Sequence, residues 1–182
     1  MILYSDSDIK IAGDRPSQEI KKRRENTAVL EEPAKEDIKN AKELGKRIAL
    51  KFINDAKETE VSDEPADFDM LLQRRLLLSF TATVGFEQFC RDDTLAGIAQ
   101  KSFIDTVKKE NDELYRSSSD TGAFSFYYLA YRRGSEIDRR IGQTFAMLCS
   151  HDGDPIYQEL GEALYCWFLS AVRKAAAELN LI

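Results

Sequence analysis

The sequence predicts an all-α fold, an irregular or up-and-down antiparallel bundle of about five to six helices. Three observations predict it. Apolar residues recur at spacings of three and four over long stretches, and residues suited to starting a helix stand in the gaps between those stretches. Helix breakers are scarce, with 4 Pro and 9 Gly among 182 residues. A chain of this length supports one hydrophobic core better than two, and 43% hydrophobic with 32% charged residues is a globular balance. We expect a single helical-bundle domain over residues 33–182, preceded by an N-terminal arm over residues 1–32.

The arm carries the only extended character, Met1-Ile2-Leu3-Tyr4 and Ile9-Lys10-Ile11-Ala12. Such fragments suit a small hairpin, an arm laid on a neighbouring subunit or a disordered tail. The segment SQEIKKRRENTAVLEE has helix-forming residues, enough for one short helix, but little to bury. Its basic run Lys21-Lys22-Arg23-Arg24 is offset by Glu19, Glu25, Glu31 and Glu32, the pattern of a solvated face.

From Pro33 the period becomes clear. Ile38, Ala41, Gly45, Ile48, Phe52 and Ala56, widened by Leu44 and Ile53, predict a helix over about 34–59 with Lys39, Lys42 and Lys46 in water. After V-S-D-E-P a second helix spans about 66–91, with Leu76, Leu77, Leu78, Phe80, Val84 and Phe86 in an apolar surface too broad for one seam, so it is placed at the centre. Asp92 and Asp93 cap a third helix, whose inner face, Leu95, Ile98, Ala99, Phe103, Val107 and Leu114, carries it to about residue 115. A short aromatic helix with Phe124, Phe126, Tyr127, Tyr128 and Tyr131 follows and stops near Gly134. Ser135 and Asp138 resemble a capping box for a helix over about 136–150. Asp154 and Pro155 then start the last helix, for which Ile156, Leu160, Leu164, Trp167, Ala171, Ala175 and Leu179 predict the buried stripe.

Composition narrows the function. The net charge of −6, with the acidic excess beyond the first sixty residues, gives no broad positive field, and nucleic acid is disfavoured as a partner. No window of apolar residues is long enough to span a membrane, and the N-terminus lacks the pattern of a secretory signal, so a cytoplasmic protein is expected. The odd set Cys90, Cys149 and Cys166 reads as reduced thiols. A single histidine and no close cysteine pair leave no metal motif, and neither glycine-rich phosphate-loop pattern occurs. No metal or cofactor is expected, and no catalytic residue is assigned. Gly85, Gly97, Gly142 and Gly161 fall inside helices, where close helix packing is the simplest use for them.

One stretch concentrates chemistry. FSFYYLAYRRGSEIDRR sets Arg132, Arg133, Arg139 and Arg140 around a Gly-Ser turn, with Tyr127, Tyr128 and Tyr131 before it and His151 beyond. Guanidinium forks hold carboxylates or phosphates, and a helix start at Ser135 would add backbone donors. The same arginines also have Glu136 and Asp138 beside them as internal partners. Cys149, His151 and Asp152 contain the residue types of a nucleophile pair, though capping of a helix C-terminus is the plainer role for His151. Two readings stand. The first is a noncatalytic homodimeric interaction or regulatory module, binding itself or another protein. The second is a small anionic-ligand-binding protein or enzyme built on the arginine and tyrosine cluster. An exposed patch supports the first and a concave pocket the second.

Overall fold

The stripe that begins at Ile38 forms α1, Lys35–Glu60, in the computed structural model, which describes residues 33–60, 68–119 and 121–182. The arm expected over 1–32 lies outside the described residues. Six further helices follow: α2 Phe68–Phe89, α3 Asp93–Glu110, α4 Asp112–Ser117, α5 Thr121–Arg132, α6 Ile137–Leu148 and α7 Pro155–Glu178. Together they make an all-α, irregular up-and-down bundle, with no strand among the described residues.

Among the described residues there are seven helices where the periodicity gives about five to six, because the third helix breaks at Asn111. Its side chain accepts from the Leu114 backbone N–H at 2.9 Å while its own N–H closes on Val107 O, so it ends α3 and caps α4. Short polar side chains compete with helix propagation in this way. The two aspartate caps hold as expected: Asp92 accepts from Leu95 N–H and Asp154 from Ile156 N–H, each at 2.8 Å. The box at Ser135 does not form. α6 begins at Ile137 behind Glu136, which is in the left-handed region (φ 52°) and makes no side-chain cap.

α2 is central and touches each of the other described helices. Its Leu76, Leu77, Leu78, Phe80, Val84 and Phe86 are all buried, which is the all-round burial its breadth of apolar sequence implies. α1 packs mainly on α3 rather than on its chain neighbour α2, and α7 packs on α6 and α2. Glycines set these approaches. A Cβ at Gly45 would meet the backbone of α3 at Ala99 and Phe103; one at Gly142 would run into Gln158 O of α7; and Gly85 faces Val172. Gly97 has open space around it, so packing does not account for that one.

On α7 the buried face is Gly161, Leu164, Tyr165, Phe168, Val172 and Ala176. Of the expected stripe, Leu164 is buried and Leu160, Ala175 and Leu179 pack against the core, but the centre of the buried face is rotated toward the residues that follow them. Trp167 is 41% exposed and Ile156 is 73% exposed, so neither is core. Gly161 accounts for the rotation: its face lies on the ring and Cβ of Phe145, and only a residue without a side chain fits there.

Two helix ends are locked alike. In α6, His151 N–H bonds Ala146 O and Ser150 N–H bonds Met147 O, with Ser150 left-handed; in α7, Leu181 and Asn180 do the same to Ala176 O and Ala177 O. Both are Schellman closures. The second buries Leu181, whose carbonyl accepts from Arg91 N–H at 2.9 Å and so ties the chain end to α2.

Candidate functional site

The aromatic helix α5 is organised by one residue of α2. Phe80 is fully buried, and around it stand Tyr127, stacked at 5.5 Å, Phe124 at 5.9 Å, Tyr128 at 6.2 Å and Tyr131 at 6.3 Å, the last three edge-on. Residues 124, 127, 128 and 131 follow helical spacing and form the inward face. Aromatic pairs of this kind contribute about 0.5–1.5 kcal/mol each beyond simple burial. Packing thus explains most of the aromatic content that marks this stretch in the sequence.

Tyr127 is 0% exposed, and its hydroxyl is buried without a hydrogen-bond partner. Burial, reinforced by the Cys149 thiol, holds its phenol well above the ordinary range. Burial first, then Glu87 and Tyr128, also raise Tyr131. Tyr128 alone of the three is exposed, and the Arg132 guanidinium lies 5.9 Å from its ring centroid.

Arg132, Arg133 and Arg139 are exposed and Arg140 is half-buried. Arg140 donates to Arg133 O at 2.9 Å and approaches Ser135 Oγ at 3.5 Å, and Arg139 pairs with Glu136 at 3.5 Å. The backbone donors of the helix start lie two residues beyond Ser135, at Ile137 onward, and one of them, Arg139 N–H, donates to Asp138 Oδ1 at 2.9 Å. Beside the arginines, the outward face of α5 carries Phe126 and Leu129, 48% and 59% exposed, about two turns and one turn before Arg133. The sequence marks Phe126 as one aromatic among several; its outward position follows once Phe80 claims the opposite face.

His151 belongs elsewhere. It stands beyond the far end of α6, whose stretch from Arg139 to Leu148 alone spans about 14 Å at 1.5 Å per residue. Its ring stacks on Tyr157 at 3.8 Å and 10°, and its N–H closes α6. Cys149 is not turned partly outward as its position after Leu148 suggests, but buried beside Tyr127. Cys90 is buried too, its thiol pushed up to about 11 by burial and then by Asp92. Cys166 is exposed, and burial of its sulfur, with Asp138 and Glu162 behind it, still raises its pKa. Glu87 and Glu159 are at the surface. Among the described residues, no three His, Cys, Asp or Glu side chains are grouped to hold a metal ion, and no helix is long and apolar enough to cross a membrane.

No family model, curated protein or solved structure matches this chain.

Two grooves lie where the sequence offers no motif. One, of about 450 Å³, runs between α2 (Ser79, Thr83), α3 (Gln100, Phe103, Ile104, Val107), Tyr115 of α4, the following Ser118 and Ser119, and α5 (Phe124, Ser125, Tyr128). Of the eight residues marked by the sequence, Tyr128 is the only one that lines it. The second, of about 610 Å³, lies between α1 and α3 and mixes Lys42, Lys46, Lys101 and Lys109 with Asp105 and Glu110. None of the four arginines contributes to either.

Proposed function

We propose that the chain is a noncatalytic homodimeric interaction module, and that the outer face of α5 with the turn into α6 is its contact surface. The observation that carries this reading is the placement of the arginine cluster. It lies on an exposed face with Phe126 and Leu129, and none of the four arginines lines either groove. An apolar centre bordered by charge is the usual anatomy of a protein interface.

A second copy is the occupant best suited to it. The exposed turn holds both signs within a few residues, Arg132, Arg133 and Arg139 with Glu136 and Asp138. A two-fold contact requires such self-complementarity, because the same patch must serve both sides. A strictly acidic partner would leave Glu136 and Asp138 facing like charge. The anionic-ligand reading has less support, since Arg140 is directed to a backbone carbonyl, Arg139 to Glu136, and Arg132 lies over Tyr128.

Sedimentation velocity on the full chain and on Phe126→Glu and Leu129→Glu tests the proposal. Both positions are exposed, so the variants should fold as the parent does, which circular dichroism checks. The parent should sediment as a dimer at micromolar concentration and each variant as a monomer. A parent that stays monomeric, or variants that dimerise unchanged, would overturn it.

A further inference from the structure

The groove between α2, α3, α4 and α5 has a chemical character of its own. Its 450 Å³ falls within the range of about 300–1,000 Å³ typical of small-molecule sites. In a chain with 32% charged residues, none of the described residues lining it is Asp, Glu, Lys, Arg or His. Its walls are the rings of Phe103, Phe124, Tyr115 and Tyr128.

Three of the hydroxyls that line it have their hydrogens committed. Thr83 donates to Ser79 O at 3.3 Å, Ser118 to Leu114 O at 2.7 Å and Ser119 to Tyr115 O at 2.6 Å. A hydroxyl has one hydrogen and two lone pairs, so one whose hydrogen is directed at a backbone carbonyl has only acceptor capacity left. The groove therefore offers lone pairs to a ligand's donor. Among the described lining residues no Lys, Arg or His would balance the charge of a carboxylate or phosphate, and no Asp or Glu would hold a cation.

We propose that this groove binds a neutral, largely apolar small molecule that carries a ring system and at least one N–H or O–H donor. The ring lies among the four aromatic side chains and the donor meets the hydroxyl rim at Thr83, Ser118 and Ser119. This site is separate from the outward face of α5, because Phe126 and Leu129 do not line it.

Two fluorescent probes separate the predicted chemistry from its opposite: N-phenyl-1-naphthylamine, neutral with one N–H donor, and its anionic relative 8-anilino-1-naphthalenesulfonate. Titrated into the full chain, the neutral probe should saturate at one per chain and bind at least tenfold more tightly than the sulfonate. Ser125→Trp, at an exposed position on the groove's edge, should abolish binding. Thr83→Val, which keeps the volume and removes the acceptor, should weaken it about fivefold, as the loss of one hydrogen bond does. Ile156→Glu, which removes the most exposed large apolar side chain described elsewhere, should leave it unchanged. Circular dichroism identifies a variant that has failed to fold, and the remaining one then decides. Absence of saturable binding, equal affinity for the sulfonate, or binding unaffected by a folded Ser125→Trp or Thr83→Val chain would overturn the proposal.

Discussion

At the scale of single residues, the glycines give the sharpest contrast. Replacing a helical glycine with alanine favours the helix by about 1 kcal/mol where there is room. Gly97 has open space, so Gly97→Ala should stabilise the protein by up to about 1 kcal/mol. At Gly142 the added methyl would enter the backbone of α7 at Gln158, and the loss should exceed about 2 kcal/mol as the hairpin of α6 and α7 is forced apart. Urea denaturation of the two variants measures both signs. The sequence places both glycines inside helices, but only the crossing partner, unknown to a helical period, separates the one from the other. Much the same holds for the eight residues singled out around the Gly-Ser turn. Their chemical types are legible, yet Phe80 draws Tyr127 inward and the helix end at Cys149 carries His151 away from the arginines.

Among the elements, the link between α1 and α2 is the one the sequence hides. Arg74 bonds Asp55 through two parallel contacts, Nε to Oδ2 at 2.9 Å and Nη2 to Oδ1 at 2.6 Å, and Asp55 is buried. In the linear sequence Arg74 merely interrupts an apolar run, and nothing there selects Asp55 as its partner. Removing one member, as Arg74→Met or Asp55→Leu, should cost about 3 kcal/mol because it leaves the other charge without its partner in a poorly hydrated place. The double substitution should cost much less than the sum of the two, since an apolar pair fills the same space. A thermodynamic cycle by chemical denaturation decides it; additive losses would show that the two side chains act independently. Except for the separate α4, the existence of the described helices was legible, from caps such as Asp92 and Asp154 and from the breadth of α2. The inward face of α7 was not, because Tyr157, Leu160, Tyr165, Trp167, Phe168 and Leu169 make that helix apolar nearly all round. Period alone cannot orient such a helix; the fit of Gly161 against Phe145 does.

For the whole molecule, burial of weak acids ties stability to alkaline pH. Folding pushes Tyr165 up to about 12 and Cys90 up to about 11, from ordinary values of 10.0 and 9.0, and also raises Tyr127 well above its ordinary value, in each case chiefly through burial. The folded state therefore keeps protons that the unfolded chain gives up. The stability these groups contribute is complete below about pH 9 and is lost as pH rises toward 12, at up to about 1.4 kcal/mol per pH unit for each proton. Denaturation free energies at pH 8, 9, 10 and 11 should fall progressively across that series; a flat profile would mean that these groups are hydrated in the folded protein.

Functional surfaces at this scale were only partly readable. The groove draws on residues near 80, 103, 115 and 124, which no local motif joins, whereas the arginine turn is contiguous and stood out at once. What the sequence left open was whether that turn closes around a ligand or faces outward. Hydrogen exchange on the unmodified chain, compared at submicromolar and tens of micromolar concentration, tests the proposed dimer face most directly. Amides of α5 and of the turn through Ile137 should exchange more slowly at the higher concentration, while the outer face of α3 stays unchanged. Exchange in α5 that is independent of concentration, or protection that appears only on other helices, would contradict the assignment of this face to a second copy.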